Sequence, residues 1–124
     1  MSTIVPMFAE TSYAVEAARL QVKVTDFAEV LDRFSIDRVR VCKMDCEGAE
    51  LEILRSLLPE TLRRVDAFAM EYHPCTYELR DLVDVIASWG DFHISKFPLV
   101  DTAKNHNLLA YKHEVLREWS LNPW

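Results

Sequence analysis

Lys43-Met44-Asp45-Cys46-Glu47-Gly48-Ala49-Glu50-Leu51-Glu52-Ile53-Leu54 is the stretch on which the fold turns. Its left half ends an apolar run, Val39 to Met44, that reads as a strand. Asp45 to Gly48 then break the pattern as a turn. Ala49, Ile53, Leu54 and Leu57 recur at helical spacing, so a helix follows and is expected to stop at Pro59. The order is strand, tight turn, helix.

Outward from this centre the alternation continues. Upstream, Val22-Lys23-Val24 is a short strand candidate. Asp26, with Glu29 three residues on, can cap a helix whose Phe27, Val30, Leu31 and Phe34 form one stripe ending near Ser35. Residues 1 to 21 read as an N-terminal arm or helix, and residues 22 to 124 as one α/β domain. Downstream, Val65 to Met70 is mostly apolar rather than alternating, as expected of a central strand covered on both faces. Thr76 can cap a helix carrying Leu79, Leu82, Val83 and Ile86, with Gly90 suited to its C-terminus. Phe92 to Phe97 and Leu108 to Tyr111 read as two strands around a polar loop, before an amphipathic tail containing Trp119 and Trp124.

Strand–helix–strand repetition implies a mainly parallel sheet of about five strands, with an antiparallel C-terminal edge pair and at least three helices on both faces. In such sheets ligands gather beyond the carboxyl ends of the strands. Asp45 and Glu47 follow one strand, and Glu71 and His73 end the next. If these strands are neighbours, the four side chains converge.

Composition narrows the function classes. The chain has 124 residues, half of them apolar, which suits one domain with a real core. A net charge of −6 argues against nucleic acid as the partner, because such proteins present basic surface. No run approaches a membrane span and no signal peptide is visible, so a cytoplasmic location is the default. Cys42, Cys46 and Cys75 lack CxxC spacing and read as buried reduced thiols.

The central run, followed by Glu71-Tyr72-His73, resembles the FkbM-type methyltransferases, with their Lys-x-Asp-x-Glu-Gly-x-Glu motif after the fourth strand of a Rossmann-like sheet. Val24-Thr25-Asp26-Phe27 with Val30-Leu31 is similar to the family's lead-in helix, and Asn107-Leu108-Leu109-Ala110 to its closing strand. The resemblance covers roughly residues 22 to 112. It implies S-adenosylmethionine as cofactor and methyl transfer, to an oxygen if the protein is active. Asp45 would lie near the transferred methyl, Asp45 and Gly48 would touch the cofactor, and Glu47 would lie near the acceptor. The family's earlier glycine-rich turn has no counterpart, since Gly48 and Gly90 are the only glycines. The resemblance is therefore to the C-terminal half, and the cofactor-gripping half is expected to be missing.

Each residue also has a structural reading. Gly48 can simply permit a tight turn. Asp45 and Glu47 can cap a helix N-terminus, and that reading is favoured over catalysis. His73, next to Pro74, is held out of helical geometry. It can act as a general base with Glu71 beside it, or be a histidine bonded to Asp45 or Glu47. Lys43 can pair with an acid or pack its stem. The spacing of the acids and His73 is no recognised ligand signature, so no metal is expected. His93, His106 and His113 are dispersed.

A sheet without the family's first strand would leave Val39 to Met44 as an open edge, which invites pairing. Either residues 1 to 24 fold over it or two copies associate, and a homodimer is expected. A partner chain supplying the cofactor half is the other possibility. Two functions follow: a methyltransferase completed from elsewhere, or a non-catalytic remnant serving as a binding or oligomerisation module.

Overall fold

The computed structural model describes residues 21–73, 77–98 and 106–121. Helix α1 (Phe27–Arg33) begins where Asp26 accepts a 2.7 Å hydrogen bond from the amide of Glu29. It ends in a Schellman turn. Ser35 takes a left-handed φ of 52°, and the amides of Ser35 and Ile36 bond back to the carbonyls of Asp32 and Leu31. Leu31 is buried, but Phe34 lies past the helix and is exposed.

Strand β1 (Cys42–Met44) is shorter than the expected Val39 to Met44; Val39 contributes an isolated parallel bridge to Val65. Helix α2 (Glu50–Ser56) follows the turn. Pro59 does not halt it. Leu57 is already extended, and Pro59 opens a separate short helix α3 (Pro59–Leu62), in the first turn where its missing N–H costs no bond. Strand β2 (Ala67–Tyr72) leads to α4 (Leu79–Ser88). The cap of α4 is Glu78, in a reciprocal capping box with Asp81, while Thr76 lies outside the described residues. Gly90, at φ 84°, follows the helix as the left-handed residue expected there. Strands β3 (Phe92–Pro98) and β4 (His106–Lys112) and helix α5 (His113–Leu121) complete the described chain.

The sheet has four strands in the order β1-β2-β4-β3, so the expected fifth is missing among the described residues. Val22 and Val24 form no strand and are exposed. "Mainly parallel" is also corrected: β1 pairs parallel with β2, whereas β4 pairs antiparallel with both β2 and β3. The cause is one reversed strand. β1, β2 and β3 run the same way, as the helical crossovers require, but β4 inserts between β2 and β3 and converts two contacts to antiparallel. The last two strands still form an antiparallel pair at one side of the sheet, and β2 is internal as expected.

The core lies on one face. Met44, Phe68, Met70, Tyr72, Leu108 and Ala110 point with Leu51, Leu54, Leu82 and Ile86 into a single cluster. Residues of opposite parity, such as Ala69, Glu71, Leu109 and Tyr111, are half-buried. The clustered helical residues come from α2 and α4, while Ala67 on the opposite parity, Leu31 of α1 and Val115 of α5 are buried outside that cluster. Phe68 anchors the cluster, with ring centroids 5.6 Å from Trp89 and 5.9 Å from Phe92. Each such buried side chain is worth about 1.5–3 kcal/mol of transfer free energy. Helix α5 is tied down at the amino end of β2. Arg38 donates to buried Asp66 and to Glu118, and Arg40 to Glu118.

Candidate functional site

The parallel pairing of β1 with β2 sets the site. Its last matched residues are Met44 and Met70, so Asp45, just past β1, lies beside Glu71, which is still paired to β4. Glu71 is of opposite parity to Met70 and Tyr72, which face the core, and His73 follows directly after the strand. The result is that donor atoms of Asp45, Glu71 and His73 all lie within 4.8 Å of one another. Glu71 Oε1 is 3.5 Å from His73 Nε2, and Lys43 Nζ is 3.5 Å from Asp45 Oδ2. Asp45 is exposed, and the other two are half-buried.

Glu47 does not join this group. It occupies the turn itself, with a left-handed φ of 51°, and its side chain is exposed. Gly48 follows at φ 106°, and the amide of Ala49 bonds to the carbonyl of Cys46. Two successive positive φ values at the centre of a turn are what a type I′ geometry needs, and glycine meets this at no steric cost.

Capping by Asp45 or Glu47 is overturned. The N-cap position of α2 is Ala49, with no side-chain cap bond. The missed residue is Glu50. Its fully buried carboxylate reaches back to accept from the amide of Cys46 at 2.7 Å, the amide of Gly48 at 3.0 Å and the Tyr77 hydroxyl at 2.6 Å. A signal was present in the sequence: an acid at the first helical position can turn back onto the unpaired amides of the preceding turn. Glu50 thus braces the turn from inside, and Asp45 faces the mouth of the sheet. Asn107 reaches this neighbourhood through β4, as the register partner of Glu71.

Burial pushes the thiols of Cys42 and Cys46 above the ordinary cysteine range, and for Cys46 the neighbouring Glu50 carboxylate adds to this. Both are free thiols, as read from their spacing, but neither is fully buried: Cys42 is half-buried and Cys46 exposed, and Cys75 lies outside the described residues. An apolar cavity of about 260 Å³ lies beside β1, lined by Phe27, Cys42, Met44, Ile53, Leu57 and Phe68 among others. Asp45, Glu71 and His73 do not line it. No described helix is long and apolar enough to cross a membrane.

A mixed α/β sheet with two acids and a histidine grouped at the carboxyl ends of two adjacent parallel strands defines an α/β protein with a polar cluster where such sheets bind ligands. The methyltransferase FkbM domain model matches residues 4–96, three quarters of the chain, and the protein belongs to that family. No curated protein and no solved structure matches it.

Proposed function

We propose that this protein takes part in S-adenosylmethionine-dependent O-methyl transfer, with the reaction centre at the mouth of β1 and β2. One observation carries the reading: in a chain of the FkbM family, Asp45, Glu71 and His73 come within 4.8 Å at the carboxyl ends of adjacent strands. The donor set suits the cofactor, because carboxylates here complement its cationic sulfonium and ammonium groups. Asp45 and the Gly48 turn would hold it, and when bound it supplies an electrophilic methyl group. His73 accepts the proton of an acceptor hydroxyl, and Glu71, 3.5 Å from its Nε2, orients and stabilises the imidazolium that forms. Glu47, exposed on the turn, offers a carboxylate to the acceptor. The acceptor is a sugar or other small-molecule hydroxyl.

The rest of the cofactor site, for which Gly48 and Gly90 offer no glycine-rich turn, is supplied by a different chain or by the N-terminal segment. A second reading, a non-catalytic module that self-associates, is favoured by the edge: β1 ends the described sheet, and Val41 beside it is half exposed. Calorimetric titration with S-adenosylmethionine and S-adenosylhomocysteine separates the two. Saturable heat supports the enzyme. No heat at millimolar ligand, with or without a dimer by light scattering, removes a self-sufficient methyltransferase, and a stable monomer at micromolar concentration removes the self-associating module.

A further inference from the structure

We propose that Asp45, Glu71 and His73 form a binding site for a divalent first-row metal ion, with Mn2+ the best-suited probe. The ligand types fit: two carboxylates and one imidazole are the mixed oxygen and nitrogen set that Mn2+, Fe2+ and Zn2+ accept. The spacing fits as well. Ligand atoms each about 2.1 Å from one ion are at most about 4.2 Å apart. The three donors already lie within 4.8 Å of one another, and the Glu71–His73 pair is at 3.5 Å, so closing on an ion takes shifts of roughly half an ångström.

Those shifts are accessible because the most exposed ligand, the Asp45 side chain, is 37% accessible and stands on a turn, whereas Glu71 and His73 are fixed at the end of a central strand. The supports are independent of the ion. Glu50 fixes the turn that aims Asp45, and Asn107 is placed by register beside Glu71 as a further oxygen donor. Lys43 is the resident cation at Asp45, at 3.5 Å, and its side chain is 73% exposed. The spacing of these residues is no ligand signature, which is why no metal was expected from the sequence; the pairing of β1 with β2 is what brings the three donors together.

A cation here changes the role of His73 from base to ligand. An acceptor hydroxyl entering an open coordination position would ionise more readily, its proton passing to solvent, and the resulting oxygen would be placed for attack. The binding itself depends on neither cofactor nor acceptor, so it stands or falls separately from methyl transfer.

The test is a Mn2+ titration of the full chain, freed of metal by chelator, followed by the loss of free-ion electron paramagnetic resonance signal. One ion per chain should bind at sub-millimolar concentration. Glu71→Gln and His73→Gln should each weaken binding about tenfold or more, the loss expected when one ligand of few is removed, while circular dichroism stays unchanged. Glu60→Gln, at the opposite end of the sheet, should bind as the wild type does. Should a variant unfold, Asp45→Asn on the exposed turn provides the same comparison. No binding at millimolar Mn2+, or binding that is indifferent to all three substitutions, overturns the site.

Discussion

Replacing Glu50 tests how the central turn is built. Its carboxylate is fully buried and accepts three hydrogen bonds, two from turn amides and one from Tyr77 across to the loop before α4. Hydrogen bonds to a charged group are each worth about 1.5–3 kcal/mol. Cys46 is exposed, however, so water can reach its amide once the carboxylate is gone, and the losses will not sum fully. Glu50→Ala should cost about 3–4 kcal/mol, Glu50→Gln about 1–2 because one oxygen still accepts, and Tyr77→Phe about 1. For a domain of this size each kcal/mol lowers Tm by roughly 3–5 °C. Urea unfolding monitored by tryptophan fluorescence gives the ranking directly. If Glu50→Ala and Glu50→Gln both stay within about 0.5 kcal/mol of wild type, the range of neutral surface changes, Glu50 does not hold the turn.

Three further outcomes follow from individual contacts. Gly48→Ala forces a side chain to φ 106° and should destabilise by about 1–2 kcal/mol in the same unfolding assay. Leu82→Ala opens a cavity at a residue with no exposed surface and should cost about 2–5 kcal/mol, whereas Leu116→Ala, 43% exposed, should cost far less. Hydrogen bonds from Arg40 and Arg38 hold the Glu118 carboxyl below the ordinary glutamate range. Its stabilising effect is therefore present above the unfolded glutamate pKa and fades as pH falls through the lower folded value. Carbon-detected NMR titration should find that lower midpoint, and Arg40→Gln should raise it.

Much of the local structure was legible because its cause is local. Asp26 with Glu29, the Gly90 stop and the turn at Gly48 are set by residues a few positions apart, and each appears where the pattern puts it. Strand order was not. β4 inserts between β2 and β3 and pairs with both, and nothing near Leu108 encodes that placement. Val22 and Val24 alternate like a strand but have no described partner, and a strand without a partner is not a strand. At the site, the pairing of residues 45 and 71 to 73 followed from the inference that their strands are neighbours. Neither Asp45 nor Glu47 caps α2, because the chain turns through two left-handed residues, which carries Glu47 outward and lets the carboxylate of Glu50 bond the amides of the turn.

The claim at the centre of this account is that the mouth of β1 and β2 is where the cofactor and acceptor meet. Hydrogen exchange with and without saturating S-adenosylhomocysteine tests it most directly. Added protection should concentrate on the backbone amides of residues 44–50 and 70–73. No change in those two segments, or protection confined to other parts of the chain, would contradict it.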